Sequence, residues 1–540
     1  MKVFKVFTSQ YRYIALVTLF YTLAFNSVLF TKFYSIFKND PHILGLLVSF
    51  TVLVWAIQTL LFALLASRHT VKPLLISGLI IGTTSVYFAN HYGIVIDATM
   101  LQNSIETQPE EVFGLLSFSL VIYLLFGAIL PTVWILKAKI SNETFLKESI
   151  SKISTLGLSS FFILISVVPF SSQYASFFRE YKSVRYYATP VTPIYSIIQF
   201  SQEKMLPDFN GPIQIASTLV DDKIVSDPDE KEHELIILIV GETARADHFS
   251  LNGYSRKTNP NLEQEAHLVS FSHVSSCGTS TSVSVPCMFS MNTRDNYSDG
   301  DIYRYYNALD ILSRNGVAVL WRDNNSSSKG VADRVAYQSF RDPEINKVCD
   351  VECRDEGMLL GLEEFIAENH DRDILIVLHA MGSHGPEYYK RYPASFKQFT
   401  PTCDSNQLST CEQSSLVNTY DNTILYADFV MSKTIALLKR YPEYETAMFY
   451  ISDHGESLGE NNIYLHGMPY SFAPENQIHV PLIAWLPPNS DYDYVATKER
   501  QNLPFSHDDL FCTMLSALEV TTTHCNEANS MLVREPEEHG

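Results

Sequence analysis

Residues 446–456 read TAMFYISDHGE: an apolar run of strand length that passes directly into Ser-Asp-His-Gly. A run apolar at every position, without alternation, fits a strand buried on both faces of a sheet. The pattern recurs along the chain. ELIILIV leads into GET from residue 234, VAVLW into RDNN from 317, ILIVL into HAMGSHG from 374 and HVPLIAW into LPP from 479. Between these lie helical stretches such as YRYYNALDILSRNG (303–316), EGMLLGLEEFIAENH (356–370) and NTILYADFVMSKTIALLKRY (422–441). Apolar strands alternating with helices predict an α/β domain around a mainly parallel sheet. In such sheets ligands gather at the carboxyl ends of the strands.

The residues at those ends are chemically pointed. Glu242 follows the first strand, His384 lies in HAMGSHGP, Asp453 and His454 follow TAMFYIS, and His466 comes twelve residues later in YLHGMPY. Each has an ordinary reading: Asp-His-Gly as a turn, Glu242 as a helix start, His466 as an exposed loop residue. Together they form a nitrogen–oxygen set suited to zinc. Lys329, in RDNNSSSKG, adds a cation after a further strand. Residues 277–287, CGTSTSVSVPC, enclose a run of hydroxyls between two cysteines. This reads either as a capped helix start or as a nucleophile held in place, and a helix N-terminus favours anions in both cases. The residues themselves do not choose among the hydroxyls.

The rest of the chain is a different polymer. Residues 1–176 carry 11 Lys/Arg and 7 Asp/Glu, leaving 28 and 52 of the chain's 39 and 59 for residues 177–540. So acidic a second part is unsuited to nucleic acid, whose binding rests on neutralising phosphates. Five apolar stretches near 13–34, 43–66, 73–92, 116–136 and 155–175 have membrane-spanning length. Lys/Arg in the short loops outweigh the opposing Lys32 and Lys38, placing the N-terminus in the cytoplasm and everything after 176 outside. All eight cysteines fall in that outer part, an even count that reads as disulfides in an oxidising compartment, with zinc-binding thiols the weaker alternative because there is no CxxC. Neighbour pairing is the simplest arrangement, with the partners of Cys349, Cys353, Cys512 and Cys525 left open. The expected organisation is a membrane domain (1–176), a connector (177–230) that is either interfacial or an ordinary linker, and an outer domain (231–540).

GETARAD, CGTST…VPCMFS, WRDNN..SKG, GSHGP and SDHGESLGE…YLHG, in that order behind five spans, resemble the lipid A phosphoethanolamine transferases, including the mobile colistin-resistance enzymes. The resemblance covers nearly the whole chain. It implies an alkaline-phosphatase/sulfatase-like fold, a zinc cofactor and an inner-membrane enzyme whose catalytic domain lies in the periplasm. It implies transfer of phosphoethanolamine from phosphatidylethanolamine to a lipid A phosphate, giving polymyxin resistance. Matching motif to motif, the resemblance puts the nucleophile on Thr281 and the zinc ligands on Glu242, Thr281, Asp453 and His454. His384 and His466 become supporting phosphate or second-metal residues, able to act as acid or base. Asn325, Ser326 and Lys329 match a substrate-contacting segment. MLQNSIETQPEE resembles a loop that places Asn103, Thr107 and Glu111 near a lipid headgroup. A phosphoglycerol transferase or sulfatase of the same superfamily, and a non-catalytic descendant lacking ligands, are the alternatives.

Overall fold

A computed structural model of the chain describes residues 9–106, 115–140, 144–204, 233–298, 300–522, 524–525 and 530–534. The chain divides into two compact units, one of residues 1–101 and 116–206, the other of 102–115 and 207–540.

The first unit is helical. Among the described residues, four helical segments are long and apolar enough to cross a membrane: Ile43–Leu65, Val71–Tyr92, Phe118–Lys137 and Phe145–Glu180. A fifth span is formed if Gln10–Phe25 and Ser27–Phe37, bent by 65°, are taken together. The expected first span is therefore broken. The break falls at Asn26, a poor helix former, whose buried amide donates to the carbonyls of Tyr21 (3.0 Å) and Thr189 (2.8 Å) and accepts the Thr189 N–H (3.0 Å). Outward-facing Leu16, Leu23, Leu44, Val48, Phe126 and Leu164 are all exposed, as suits helices whose solvent is lipid. The last long segment continues past residue 176 to Glu180. Its Tyr174 and Phe177 share a core with Phe33, Phe50, Val184 and Tyr187, so the start of the connector packs onto the spans.

The second unit is built on an eight-stranded sheet with a small separate hairpin. The strands are β1 Glu234–Gly241, β2 Leu268–Ser275, β3 Ala318–Asp323, β4 Ala336–Ser339, β5 Ile374–His379, β6 Glu445–Ser452, β7 Ser457–Leu458, β8 Tyr464–Leu465, β9 His479–Trp485 and β10 Phe505–Ser506. The order is β10-β2-β9-β6-β1-β5-β3-β4, with β7 and β8 paired apart. Alternation explains the unbroken apolar runs. Ile236, Leu238 and Val240 enter one core with Phe449, Leu375 and Leu515, while Leu235, Ile237 and Ile239 enter another with Met448, Ile376 and Ile424. Both faces are thus covered, the second by the helix Gln413–Leu438.

The sheet is mainly parallel, as expected. The exception is β9, antiparallel to both β2 and β6. β1, β2, β3, β5 and β6 consequently all run the same way and deliver their carboxyl ends to one edge. The expected helix 422–441 lies mostly within Gln413–Leu438, and the helical readings at 303–316 and 356–370 shrink to Ala308–Arg314 and Leu362–Glu368 with short turns beside them. All eight cysteines pair as neighbours: Cys277–Cys287, Cys349–Cys353, Cys403–Cys411 and Cys512–Cys525.

Candidate active site

Two adjacent strand ends bring the carboxylates together. Gly241 is in register with Ser452 across β1 and β6, so Glu242 and Asp453 are neighbours one residue on. Both are fully buried, as is His454. One acidic oxygen of each carboxylate and a ring nitrogen of His454 lie within 4.8 Å of one another. His454 Nε2 is 3.4 Å from Glu242 Oε1 and 3.3 Å from Asp453 Oδ2.

The intervening backbone is strained to allow this. Thr243 has φ of 57°, a left-handed conformation costly for a β-branched residue and typical of functional sites. From there its N–H reaches Asp453 Oδ1 (3.1 Å) and its hydroxyl reaches Glu242 Oε1 (3.0 Å). Gly382 supplies a close approach on the other side. Its φ is +51°, and a Cβ there would lie 2.8 Å from the Glu242 carbonyl oxygen.

Thr281 is the first residue of the helix Thr281–Met288, which follows β2 at the same edge. Its hydroxyl donates to Glu242 Oε2 at 3.0 Å and lies 3.4 Å from His454 Nε2. The disulfide Cys277–Cys287 closes the ring around it. Asn325, from the loop after β3, donates to Glu242 Oε2 (2.7 Å) and to the Ala380 carbonyl (2.9 Å). It thus stands behind the carboxylate.

These donors fit a cation. His454 Nδ1 is 2.9 Å from the Gly455 carbonyl, which assigns the proton to Nδ1 and leaves the Nε2 lone pair facing the carboxylates. Among the described residues, Asp453 Oδ2 is buried without a hydrogen-bond partner. Two buried carboxylates and a lone-pair nitrogen facing one another suit a positive charge placed between them. Burial, and then the Glu242 charge, pushes the Asp453 carboxyl far above its ordinary range. Burial pushes the His454 imidazole down to about 3, with His466 adding to the effect.

The ring of His466 lies 4.4 Å from that of His454 and 5.6 Å from that of His384, so all three imidazoles gather at this edge. His466 Nδ1 is 2.8 Å from Glu456 Oε2, and the Tyr388 hydroxyl donates to the other oxygen of that buried carboxylate. Ser326 and Lys329 lie in the loop after β3, the first nearly buried and the second partly exposed with φ of 52°. Asn103 belongs to the second unit, where its amide oxygen accepts from the Ser282 hydroxyl. Thr107 and Glu111 lie outside the described residues.

Three participants escape a reading of the sequence. Glu456, two residues after His454, is visible there only as a further acidic side chain at a strand end. Ser284 and His507 give no local signal. The Ser284 hydroxyl accepts the Gly278 N–H (3.1 Å) and donates to the Asp453 carbonyl. His507 Nδ1 accepts the Cys277 N–H at 3.1 Å, while Nε2–H donates to the Ser452 carbonyl at 3.0 Å. Both tie the Thr281 loop to the end of β6.

Comparison with known proteins agrees with this architecture. A family model described as "Phosphoethanolamine transferase EptA/EptB" matches residues 54–205, and the Sulfatase model matches 234–520. The chain is 41% identical over 529 residues to phosphatidylethanolamine transferase Mcr-2 of Escherichia coli, covering 95% of this chain and 97% of the relative. It is 40% identical to Mcr-1 of the same organism over 534 residues, with 97% of each covered. Among solved structures, the integral membrane lipooligosaccharide phosphoethanolamine transferase A from Neisseria meningitidis superposes with a TM-score of 0.90 at 32% identity, covering 97% of this chain and 98% of that one.

Proposed function

The chain belongs to the family of lipid A phosphoethanolamine transferases, and from that premise we propose that it carries phosphoethanolamine from phosphatidylethanolamine to a lipid A phosphate by way of a covalent intermediate on Thr281. The observation that carries the proposal is the Thr281 hydroxyl at a helix N-terminus, 3.0 Å from Glu242 and 3.4 Å from His454.

A threonine hydroxyl is a weak nucleophile until its proton is taken or masked. A zinc ion held by Glu242, Asp453 and His454 next to Thr281 would acidify the hydroxyl and screen charge developing on the phosphoryl oxygens. In the first step the Thr281 oxygen bonds to the donor phosphorus as the bond to the diacylglycerol oxygen breaks. The hydroxyl proton is directed at Glu242 Oε2, the acceptor it already faces. His384 or His466 protonates the departing oxygen. In the second step a lipid A phosphate oxygen attacks the same phosphorus, the bond to Thr281 breaks and Glu242 returns the proton that restores the hydroxyl. Amides at the start of the helix Thr281–Met288 face the anionic phosphoryl group. Lys329, Ser326 and Asn103 border the substrate in this reading.

Donor and acceptor are both lipids, so the helical unit keeps the reaction at a membrane surface. We assign that surface to the periplasmic face of the inner membrane, where the four disulfides form and persist. Neutralising lipid A phosphate weakens cationic polymyxin binding, so cells carrying the protein are expected to resist colistin.

The test is mass spectrometry of lipid A from Gram-negative cells expressing the protein or its Thr281→Ala variant. Phosphoethanolamine addition is expected with the first and not the second. Acid-quenched protein should yield a Thr281 peptide heavier by one phosphoethanolamine. An intermediate on another residue, or transfer that survives Thr281→Ala, overturns the scheme.

A further inference from the structure

The second unit contains a cavity of about 670 Å³ that the Thr281 reaction does not use. It shares walls with the candidate active site. Asn325 lines it while its side chain holds Glu242 at 2.7 Å, and Gly385 and Pro386 line it immediately after His384. Arg391, another wall residue, donates to the His384 carbonyl at 2.6 Å.

The walls are built rather than accidental. The buried carboxylate of Asp355 accepts the N–H groups of Met381 (2.8 Å) and Gly382 (3.0 Å) and the side-chain amide of Asn324 (2.8 Å). Asn324 in turn holds the Cys353 carbonyl at 3.0 Å, and Cys353 is closed onto Cys349 by a disulfide. A network of this kind rigidifies a polar wall. Side chains of both charge signs line the space: Lys390 is paired with Glu387 (2.6 Å) and Arg391 with Glu352 (2.5 Å), beside Arg341 and Asp350. Tyr337, on the edge strand β4, is 43% exposed and presents an aromatic face at the rim.

We infer that this cavity seats the sugar part of the acceptor's phosphorylated headgroup, against the Asn325 wall that it shares with the active site; the inference rests on the proposed transferase activity. Size argues for it. Roughly 300–1,000 Å³ suits a ligand of drug size, and phosphoethanolamine is far smaller, whereas a glucosamine phosphate unit uses the space. Chemistry argues likewise. Arg and Lys recognise phosphate, carboxylates and asparagines accept and donate to sugar hydroxyls, and a tyrosine face packs on the ring's C–H side. Acyl chains are a poor match, because charged and amide side chains dominate the lining and covering its ion pairs with hydrocarbon costs their desolvation.

The experiment uses the full chain in detergent with phosphatidylethanolamine and lipid A. Tyr337→Ala and Lys390→Gln are compared with the parent, each first shown to melt as the parent does. The expected result is a rise of about tenfold in the KM for lipid A in each variant. The effect should not fall on the KM for phosphatidylethanolamine or on diacylglycerol release measured with water as acceptor. Free glucosamine 1-phosphate should inhibit transfer to lipid A in the parent and do so less in both variants. A lipid A KM within twofold of the parent in both variants overturns the inference, as does an effect borne by the donor's KM. If the parent releases no diacylglycerol at all, the transferase activity fails first, which separates the two.

Discussion

His507 touches neither the proposed nucleophile nor a ligand, yet it ties both of their backbones together. Its ring is 1% exposed, with Nδ1 on the Cys277 N–H (3.1 Å) and Nε2–H on the Ser452 carbonyl (3.0 Å). Replacing it by leucine keeps an apolar filling and strands both backbone groups. Each buried unsatisfied group costs about 1–3 kcal/mol, so His507→Leu should destabilise the second unit by roughly 2–6 kcal/mol. The same loss frees the three residues between Cys277 and Thr281 to shift against Asp453, and a displacement of about 1 Å at a reacting group costs on the order of 10²-fold in rate.

The assay is transfer to lipid A by the full chain in detergent, resolved into kcat and KM, with bound metal measured on the same samples. We expect kcat to fall by about 10²-fold with metal content and both KM values close to the parent's. His507→Gln, which retains an acceptor and a donor, should recover part of kcat. A purely structural histidine would instead lower the active fraction without selecting kcat, and Gln would help only as far as it restored melting. A His507→Leu protein that is folded and turns over at the parental rate would refute the reasoning.

Three further outcomes rest on the same geometry. Asn325→Ala removes the 2.7 Å donor behind Glu242 and should weaken metal affinity by about 10–100-fold, read by competition with a chelator of known affinity; unaltered affinity would show that Asn325 serves substrate instead. Replacing Cys277 and Cys287 together by serine opens a loop of ten-residue separation and should cost about 3 kcal/mol by chain entropy, with a lower melting temperature and the other three disulfides intact by mass mapping. Acid should unfold the protein partly through His507, whose imidazole burial pushes down to about 4 from 6.5. Below the unfolded value the unfolded chain binds the extra proton, so this stability is present above pH 6.5 and is lost as pH falls toward 4. It amounts to about 3 kcal/mol, and melting of His507→Gln should depend correspondingly less on pH over that window.

The parts of the fold that are legible in the sequence share one physical cause. β1, β3, β5, β6 and β9 stand out because burial on both faces leaves no room for polar residues. β2, LVSFSHVS, does not, since its Ser270, Ser272 and His273 lie on a less buried face and break the run. β4 is exposed at the edge, and β10 is two residues long. Because β2 is hidden, so is the fact that the hydroxyl run is itself a strand-end feature. The reversal of β9 is also invisible, because composition records burial and not direction. In the helical unit, hydropathy reports the span and not its 65° bend, which depends on Asn26 meeting Thr189, 163 residues away. The same non-locality conceals His507. Its partners are 230 and 55 residues distant, and nothing near FSHDD announces them.

The site residues are legible for a different reason, and that reason bears on how the centre is made. Val240 is in register with His379 on β5, and Gly241 with Ser452 on β6. Once the register is set, Glu242, Met381 and Asp453 emerge side by side with no further instruction. A slip of one residue between β1 and β6 would send every apolar side chain of one strand to the opposite core. The hydrophobic pattern that stabilises the sheet therefore also sets the separation of the two carboxylates. The strain at Thr243 and the close approach at Gly382 are local adjustments to that imposed spacing. What the register does not supply is the third side of the site. Thr281 arrives on a loop after β2, three strands away across β9 and β6. It is held there by a disulfide, by Ser284 and by His507, which is why perturbing those holders should affect turnover more than the affinity of the carboxylates for a cation.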